Sequence, residues 1–288
     1  MKNLLQRGGR LAARCLSGTG LERIPLVRQF SQRFKRLIRA DAVEVNGYTL
    51  YLDRLDSLGL SLLGRFEPFE TQVIRELLSP GDVAVDVGAN IGYYTLLMAQ
   101  CVGSEGEVHA FEPAPENFAL LERNVRENSA VQVTLEEAAV GDCTGRIVFF
   151  ESRTDLSDHR TYETTETRIK YEVPCFSLDG YCAGKPGLAE RIDLIKMDIQ
   201  GAEFHALQGM MELLRTNRKL KLVTEFWPHG FESCQLAPED FLSQLEEHGF
   251  RLREIREQDA CLIDTSAEKL LAEYTHSNQN FTNLLCER

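Results

Sequence analysis

The stretch Val83-Ala-Val-Asp86-Val-Gly88-Ala89-Asn90-Ile-Gly92, running on into Tyr-Tyr94-Thr-Leu-Leu, carries the most chemistry in the chain. Its apolar run ending in Asp86 reads as a buried strand, its glycines as a tight turn, and the residues beyond Gly92 as a helix. Such a turn aims backbone amides at a ligand on the carboxyl edge of a parallel sheet. A dinucleotide fingerprint would need glycines at 88, 90 and 93, and Asn90 and Tyr93 stand at the last two. A pyrophosphate cradle is therefore disfavoured. An acid two residues before the first glycine instead suits the ammonium of an amino-acid-like ligand. The next strand ends in Glu112-Pro113, about 20 residues after the loop, where a carboxylate can accept two hydrogen bonds from a ribose diol. Asp86 and Glu112 together describe a ligand with an amine and a ribose, and S-adenosylmethionine has both.

The elements that must position these residues alternate. Short apolar strands at Val83–Val87, Val108–Phe111, Val131–Leu135, Ile192–Met197, Leu220–Phe226 and Phe250–Ile255 are followed by a last pairing of Cys261–Asp264 with Phe281–Cys286. Helices are expected over 69–78, Gly92–Cys101, Pro115–Asn128, Ala202–Thr216 and Pro238–His248. The pattern predicts an α/β fold, a Rossmann-like parallel sheet with helices on both faces. Residues 41–80 hold a hairpin turning at Asn46-Gly47, the dipeptide that best tolerates a type I′ turn, and a helix leading into the core domain at 81–288. The interval 141–181 breaks the alternation and reads as an insertion over the mouth of the sheet.

Composition narrows the function. The net charge is -12, yet residues 1–39 carry ten Lys or Arg against Glu22 alone, so this end is +9 and the remainder -21. An acidic body argues against nucleic acid as the main partner. Val27, Phe30, Phe34, Leu37 and Ile38 among Arg28, Arg33, Lys35 and Arg36 make 24–39 a basic amphipathic helix, packed on the body, lying on an anionic membrane surface or, given its Arg-rich and acid-poor composition, part of a cleaved transit peptide. No apolar run approaches the roughly 20 residues needed to cross a bilayer. Eight scattered cysteines without a CxxC pair fit a reducing, cytoplasmic setting.

The combined segments Asp86–Thr95, Phe111-Glu-Pro113 with Asn117, Ala139-Val-Gly-Asp142, Ser177-Leu-Asp179 and Ile192–Glu203 resemble the FkbM-type S-adenosylmethionine-dependent methyltransferases. Glu67-Pro68 and Asp158-His159-Arg160 also resemble family segments. The resemblance implies a seven-strand methyltransferase sheet and O-methylation of a sugar, glycan or other secondary metabolite. Carried over by position, Asp86, Gly88, Ala89, Asn90, Gly92, Tyr94, Glu112, Pro113, Asn117 and Asp198 would hold the cofactor. Ala139, in the stretch Glu137–Val140, would lie along the adenine edge. Gln200 stands where many members have Glu, and Trp227-Pro228-His229 falls in a variable loop.

Methyl transfer to oxygen needs the acceptor in line, water excluded and the hydroxyl proton removed. Lys196 and Asp198 end the fourth strand on one face, because alternate residues point the same way. Asp198 is the leading candidate for the base, with Lys196 orienting it from two residues deeper. Glu203 and Glu225 are the other acids expected at this rim. The plainer alternative is a structural Lys196–Asp198 ion pair, with Glu203 serving a helix N-terminus. His159, Trp227 and His229 are candidate acceptor contacts. No ligand spacing demands a metal, and none is expected. Two other functions stay open at this point: a non-catalytic S-adenosylmethionine-binding module, and an NAD-dependent oxidoreductase.

Overall fold

The structure, a computed structural model, describes residues 40–163 and 167–288. The basic amphipathic segment 24–39 lies outside the described residues. Among them, no helix is long and apolar enough to cross a membrane.

The described residues open with the expected hairpin, β1 (Ala42–Val45) and β2 (Tyr48–Tyr51), with Asn46 and Gly47 both at positive φ as a type I′ turn requires. The central strands follow as β3 (Val83–Val87), β4 (Glu107–Phe111) and β5 (Val133–Glu136). Next come β6 (Ala139–Val140), β7 (Gly145–Glu151), β8 (Ile169–Phe176), β9 (Ile192–Met197) and β10 (Lys221–Phe226). The chain closes with β11 (Arg251–Arg256), β12 (Cys261–Asp264) and β13 (Thr282–Glu287).

The main sheet has the order β12-β11-β13-β10-β9-β3-β4-β5. The run from β10 to β5 is parallel, and β13 is antiparallel to both its neighbours. It therefore has eight strands where the family resemblance implies seven, and Cys261–Asp264 pairs with β11 and not, as expected, with the last strand, which inserts between β10 and β11. All of β3 is buried, since helices cover both faces of the sheet. One apolar cluster fills each side, one built around Phe204, Phe226, Phe231 and Phe241, the other around Leu50, Ile74, Leu97 and Leu121.

Chain order reverses between β3 and β9, where the crevice at the strand ends of such sheets takes ligands. There Asp198 N donates to Val87 O at 3.1 Å. Gly88 (φ 86°) makes this approach feasible, because a Cβ at that position would lie 2.1 Å from the Asp198 carbonyl oxygen.

Two expectations change on folding. The single helix expected over 202–216 is two, Glu203–Gln208 and Met211–Thr216. They break where Gly209 presses on the insertion: a Cβ there would sit 1.9 Å from Gly141 O. The variable loop after Glu225 is a short helix, Pro228–Ser233. The 141–181 insertion holds most of a three-stranded sheet of order β6-β8-β7. Its polar segment from Ser152 to Thr161 reaches back over the strand ends.

Candidate active site

The parallel register sets the inner wall of the site. Asp86 on β3 pairs with Lys196 on β9, which pairs with Val223 on β10. One step further on, Asp198 and Glu225 follow on the same face. Lys196 Nζ lies 3.5 Å from Asp198 Oδ2 and 3.9 Å from Glu70 Oε1, and 4.4 Å above the Tyr94 ring. Gln200 Nε2 donates to Asp198 Oδ1 at 2.8 Å, so both carboxylate oxygens of Asp198 have a donor. Burial works against the Lys196 charge, but Asp198, Glu70, Asp86 and Glu67 outweigh it and push its pKa up.

These residues face a cavity of about 480 Å³ whose wall includes Glu67, Asp86, Gly88, Asn90, Tyr94, Lys196, Asp198, Glu225 and Trp227. Asp86 is 1% exposed and accepts from Thr95 Oγ1 at 2.6 Å. Burial raises its pKa, partly offset by Lys196. Glu225 is 6% exposed and its Oε2 has no hydrogen-bond partner. Burial, and then the Asp198 charge, holds its carboxyl well above the usual range.

A second cavity, about 50 Å³, adjoins the first and shares Gly88, Asn90 and Asp198 with it. Glu112, Pro113, Asn117 and Ala139 line it together, so the expected ribose and adenine residues do converge. Glu112 accepts Asn90 N and Ala114 N, each at 2.8 Å, and burial raises its pKa to about 7. It braces the glycine loop as well as facing the cavity. Asn117 Nδ2 donates to Leu156 O at 2.9 Å, while its buried Oδ1 has no partner and is free to accept from a nucleoside.

Three expected site residues do other work. Glu203 takes Ile199 N at 2.8 Å and Gly201 N at 3.0 Å, so its carboxylate ties the turn after β9 and lies off both cavities. Both amides precede the helix Glu203–Gln208, so the carboxylate holds the turn and does not cap the helix N-terminus. His229 packs against His276, ring centres 4.5 Å apart, and lines neither cavity. His159 lines only the small one, where its Nδ1 accepts Ser152 N at 3.1 Å. Burial, and then Arg168, lowers its pKa to about 4, leaving the ring neutral. Trp227 does reach the large cavity, under the Arg160 guanidinium at 4.8 Å. Gly92 begins the helix at Tyr93–Val102 without facing either cavity.

Glu67 and Glu70 were not among the expected site residues. Glu67 adopts φ 36°, ψ 67° ahead of the helix Pro68–Leu77, and accepts Tyr94 Oη at 2.8 Å. The only trace of this in the sequence is the Glu67-Pro68 pair. Glu70 is fully buried on the helix's first turn, and no spacing in the chain links it to Lys196.

The Asp86, Glu112 and Asn117 set suits an amine, a diol and a nucleoside base, the groups that S-adenosylmethionine presents. Comparison with known proteins agrees. Residues 86–252 match the methyltransferase FkbM domain. The 31-O-demethyl-FK506 methyltransferase FkbM of Streptomyces tacrolimicus is 30% identical over 69% of this chain and 83% of its own. Methyltransferase sdnD of Sordaria araneosa is 31% identical over 58% of this chain and 72% of its own. The 2-O-methyltransferase NoeI of Sinorhizobium fredii is 28% identical over 51% and 65% respectively. The chain belongs to the FkbM family of S-adenosylmethionine-dependent methyltransferases.

Proposed function

We propose that this methyltransferase acts on a hydroxyl group of a sugar, glycan or secondary metabolite, with Asp198 as the proton acceptor. The observation that carries the reading is the position of Asp198. It stands half-buried at the switch point of the sheet, against the glycine loop, on the wall shared by both cavities. Bound S-adenosylmethionine supplies an activated methyl group on a sulfonium. Asp86 would hold its ammonium and Glu112 its ribose, and Asn117 and Ala139 would flank the base. Lys196 and Gln200 hold the Asp198 carboxylate in one orientation, which favours in-line placement of the acceptor oxygen. The names of two relatives print O-methyl chemistry, which favours oxygen over nitrogen as the acceptor atom.

The acceptor has room on one side. A further cavity of about 560 Å³ shares Glu67, Gln279 and Phe281 with the inner one. An acceptor larger than one ring would run past Phe281, which is 55% exposed. Trp227 would stack on the ring nearest the chemistry, its indole already fixed by a 3.3 Å bond to Gln279 O.

The test is calorimetric binding of S-adenosylmethionine and S-adenosylhomocysteine to the wild type, Asp86→Ala and Glu112→Gln. Binding by the wild type and its loss in both variants are expected. A hydroxyl-acceptor screen then follows, with Asp198→Asn as the inactive control. A fully active Asp198→Asn would remove the assigned base.

A further inference from the structure

The deep wall of the large cavity brings together more carboxyl groups than the protein supplies cations to pair with. Glu67, Asp86, Asp198 and Glu225 line it, Glu70 stands directly behind, and Lys196 is the one ammonium among them. Glu225 Oε2 is buried without a hydrogen-bond partner, and Glu70 Oε1, also without a hydrogen bond, has only Lys196 Nζ at 3.9 Å. Both residues are more than nine-tenths buried, and Glu225 borders the cavity itself. Leaving a carboxylate oxygen bare in such a place is costly unless a cation or a proton arrives.

The groups facing this wall come from every element around it. Glu67 and Glu70 come from the helix at 68–77 and its cap, and the Tyr94 hydroxyl from the helix at 93–102 donates to Glu67. Asn283 Nδ2 on β13 donates to Glu70 Oε2. At the rim, the insertion contributes Arg160, itself paired with Asp158 at 2.8 Å.

We propose that this carboxylate cluster is a charge-conserving proton store, which keeps the buried site at constant charge through methyl transfer. The inference rests on the methyl-transfer reading above. In that reaction the S–CH3 bond breaks with its electron pair left on sulfur, an O–CH3 bond forms, and the hydroxyl proton must leave. The site thereby loses the sulfonium charge and gains a proton at Asp198. From there the proton passes to the Glu67 carboxylate, which is partly ionised near pH 8, with the protonated Glu225 carboxyl able to relay it. One positive charge replaces the other, so no net charge need be created in a low-dielectric pocket. Burial already favours the protonated form at Glu67, pushing it up to about 8, with Glu70 adding to the effect.

The test needs no acceptor. S-adenosylmethionine and S-adenosylhomocysteine are titrated into the whole protein by calorimetry near pH 8, in two buffers of different ionisation heat. The neutral thioether should bind with uptake of about one-half to one proton more than the sulfonium. By linkage, its relative affinity should fall as much as tenfold per pH unit across that range. Glu225→Gln and Glu67→Gln, each checked for a cooperative melting transition, should shrink the difference. Equal proton counts for the two ligands in the wild type would overturn the proposal, as would an unchanged difference in both variants. Failure of either ligand to bind the folded wild type would instead sink the methyl-donor reading, and this inference with it.

Discussion

Two acids on the same turn illustrate how differently one side-chain type is used. Asp198 faces the cavity with its oxygens held by side chains, whereas the Glu203 carboxylate is spent on backbone amides. Removing Glu203 orphans the buried amides of Ile199 and Gly201, at about 1–3 kcal/mol for each unsatisfied group. Glu203→Ala should therefore lower unfolding stability by about 2–4 kcal/mol in a denaturant titration. Asp198→Asn should leave the midpoint nearly unchanged while abolishing turnover. A reversed pattern would exchange the two roles. The sequence placed both acids at the rim, but strand alternation says nothing about which backbone amides a carboxylate will find after a turn.

At the scale of elements, the hairpin depends on one helix face. Asn124 and Asn128 lie one turn apart on Pro115–Glu127 and its cap, opposite alternate residues of β2. Asn124 accepts Tyr51 N at 2.7 Å and donates to Tyr51 O and Ile91 O, while Asn128 accepts Thr49 N and donates to Thr49 O. Two amide side chains thus pair the free edge of β2 as a neighbouring strand would, and also fix the glycine loop through Ile91. Asn124→Ala should cost about 2–4 kcal/mol, since one buried and two half-buried backbone groups lose their partner. Hydrogen exchange should then quicken at Tyr51 before the central strands; retained protection there would contradict the arrangement. The hairpin and its turn were legible from alternation about Asn46-Gly47. Its docking was not, because asparagine on a helix usually reads as a solvated residue.

For the whole molecule, the buried acids set a pH dependence. Burial raises Asp56 to about 6, Glu112 and Glu203 to about 7 and Glu67 to about 8. Folded carboxyls with raised pKa values hold protons that the unfolded chain has released, so stability falls as pH climbs from the usual carboxylate range to about 8. His159 acts oppositely, its lowered pKa of about 4 adding stability that disappears only as pH drops below about 6.5. His109, His229 and His248, lowered by burial, act in the same sense as His159 near pH 6.5, and the raised acids outweigh them between pH 6.5 and 8.5. The ligand-free protein should melt at a lower temperature at pH 8.5 than at pH 6.5 by calorimetry, and Glu67→Gln should flatten that slope. A rising melting temperature over the range would show these acids to be ionised in the fold.

The amino-acid order alone determined the parallel sheet, the glycine loop and the acids Asp86, Glu112, Asp198 and Glu225 at four strand ends. Each follows from local chemistry: apolar runs, turn residues and the fixed alternation of side chains along a strand. It also carried the family, because the motifs are contiguous. Only the tertiary structure decided that Cys261–Asp264 pairs with β11 while β13 inserts between β10 and β11, and that Gly209 splits a helix against Gly141. It alone removed Glu203 and His229 from the cavity and brought Glu67 and Glu70 to Lys196. Those outcomes depend on contacts between residues up to more than a hundred positions apart. Register and packing bring them together, and no periodicity within a segment records either.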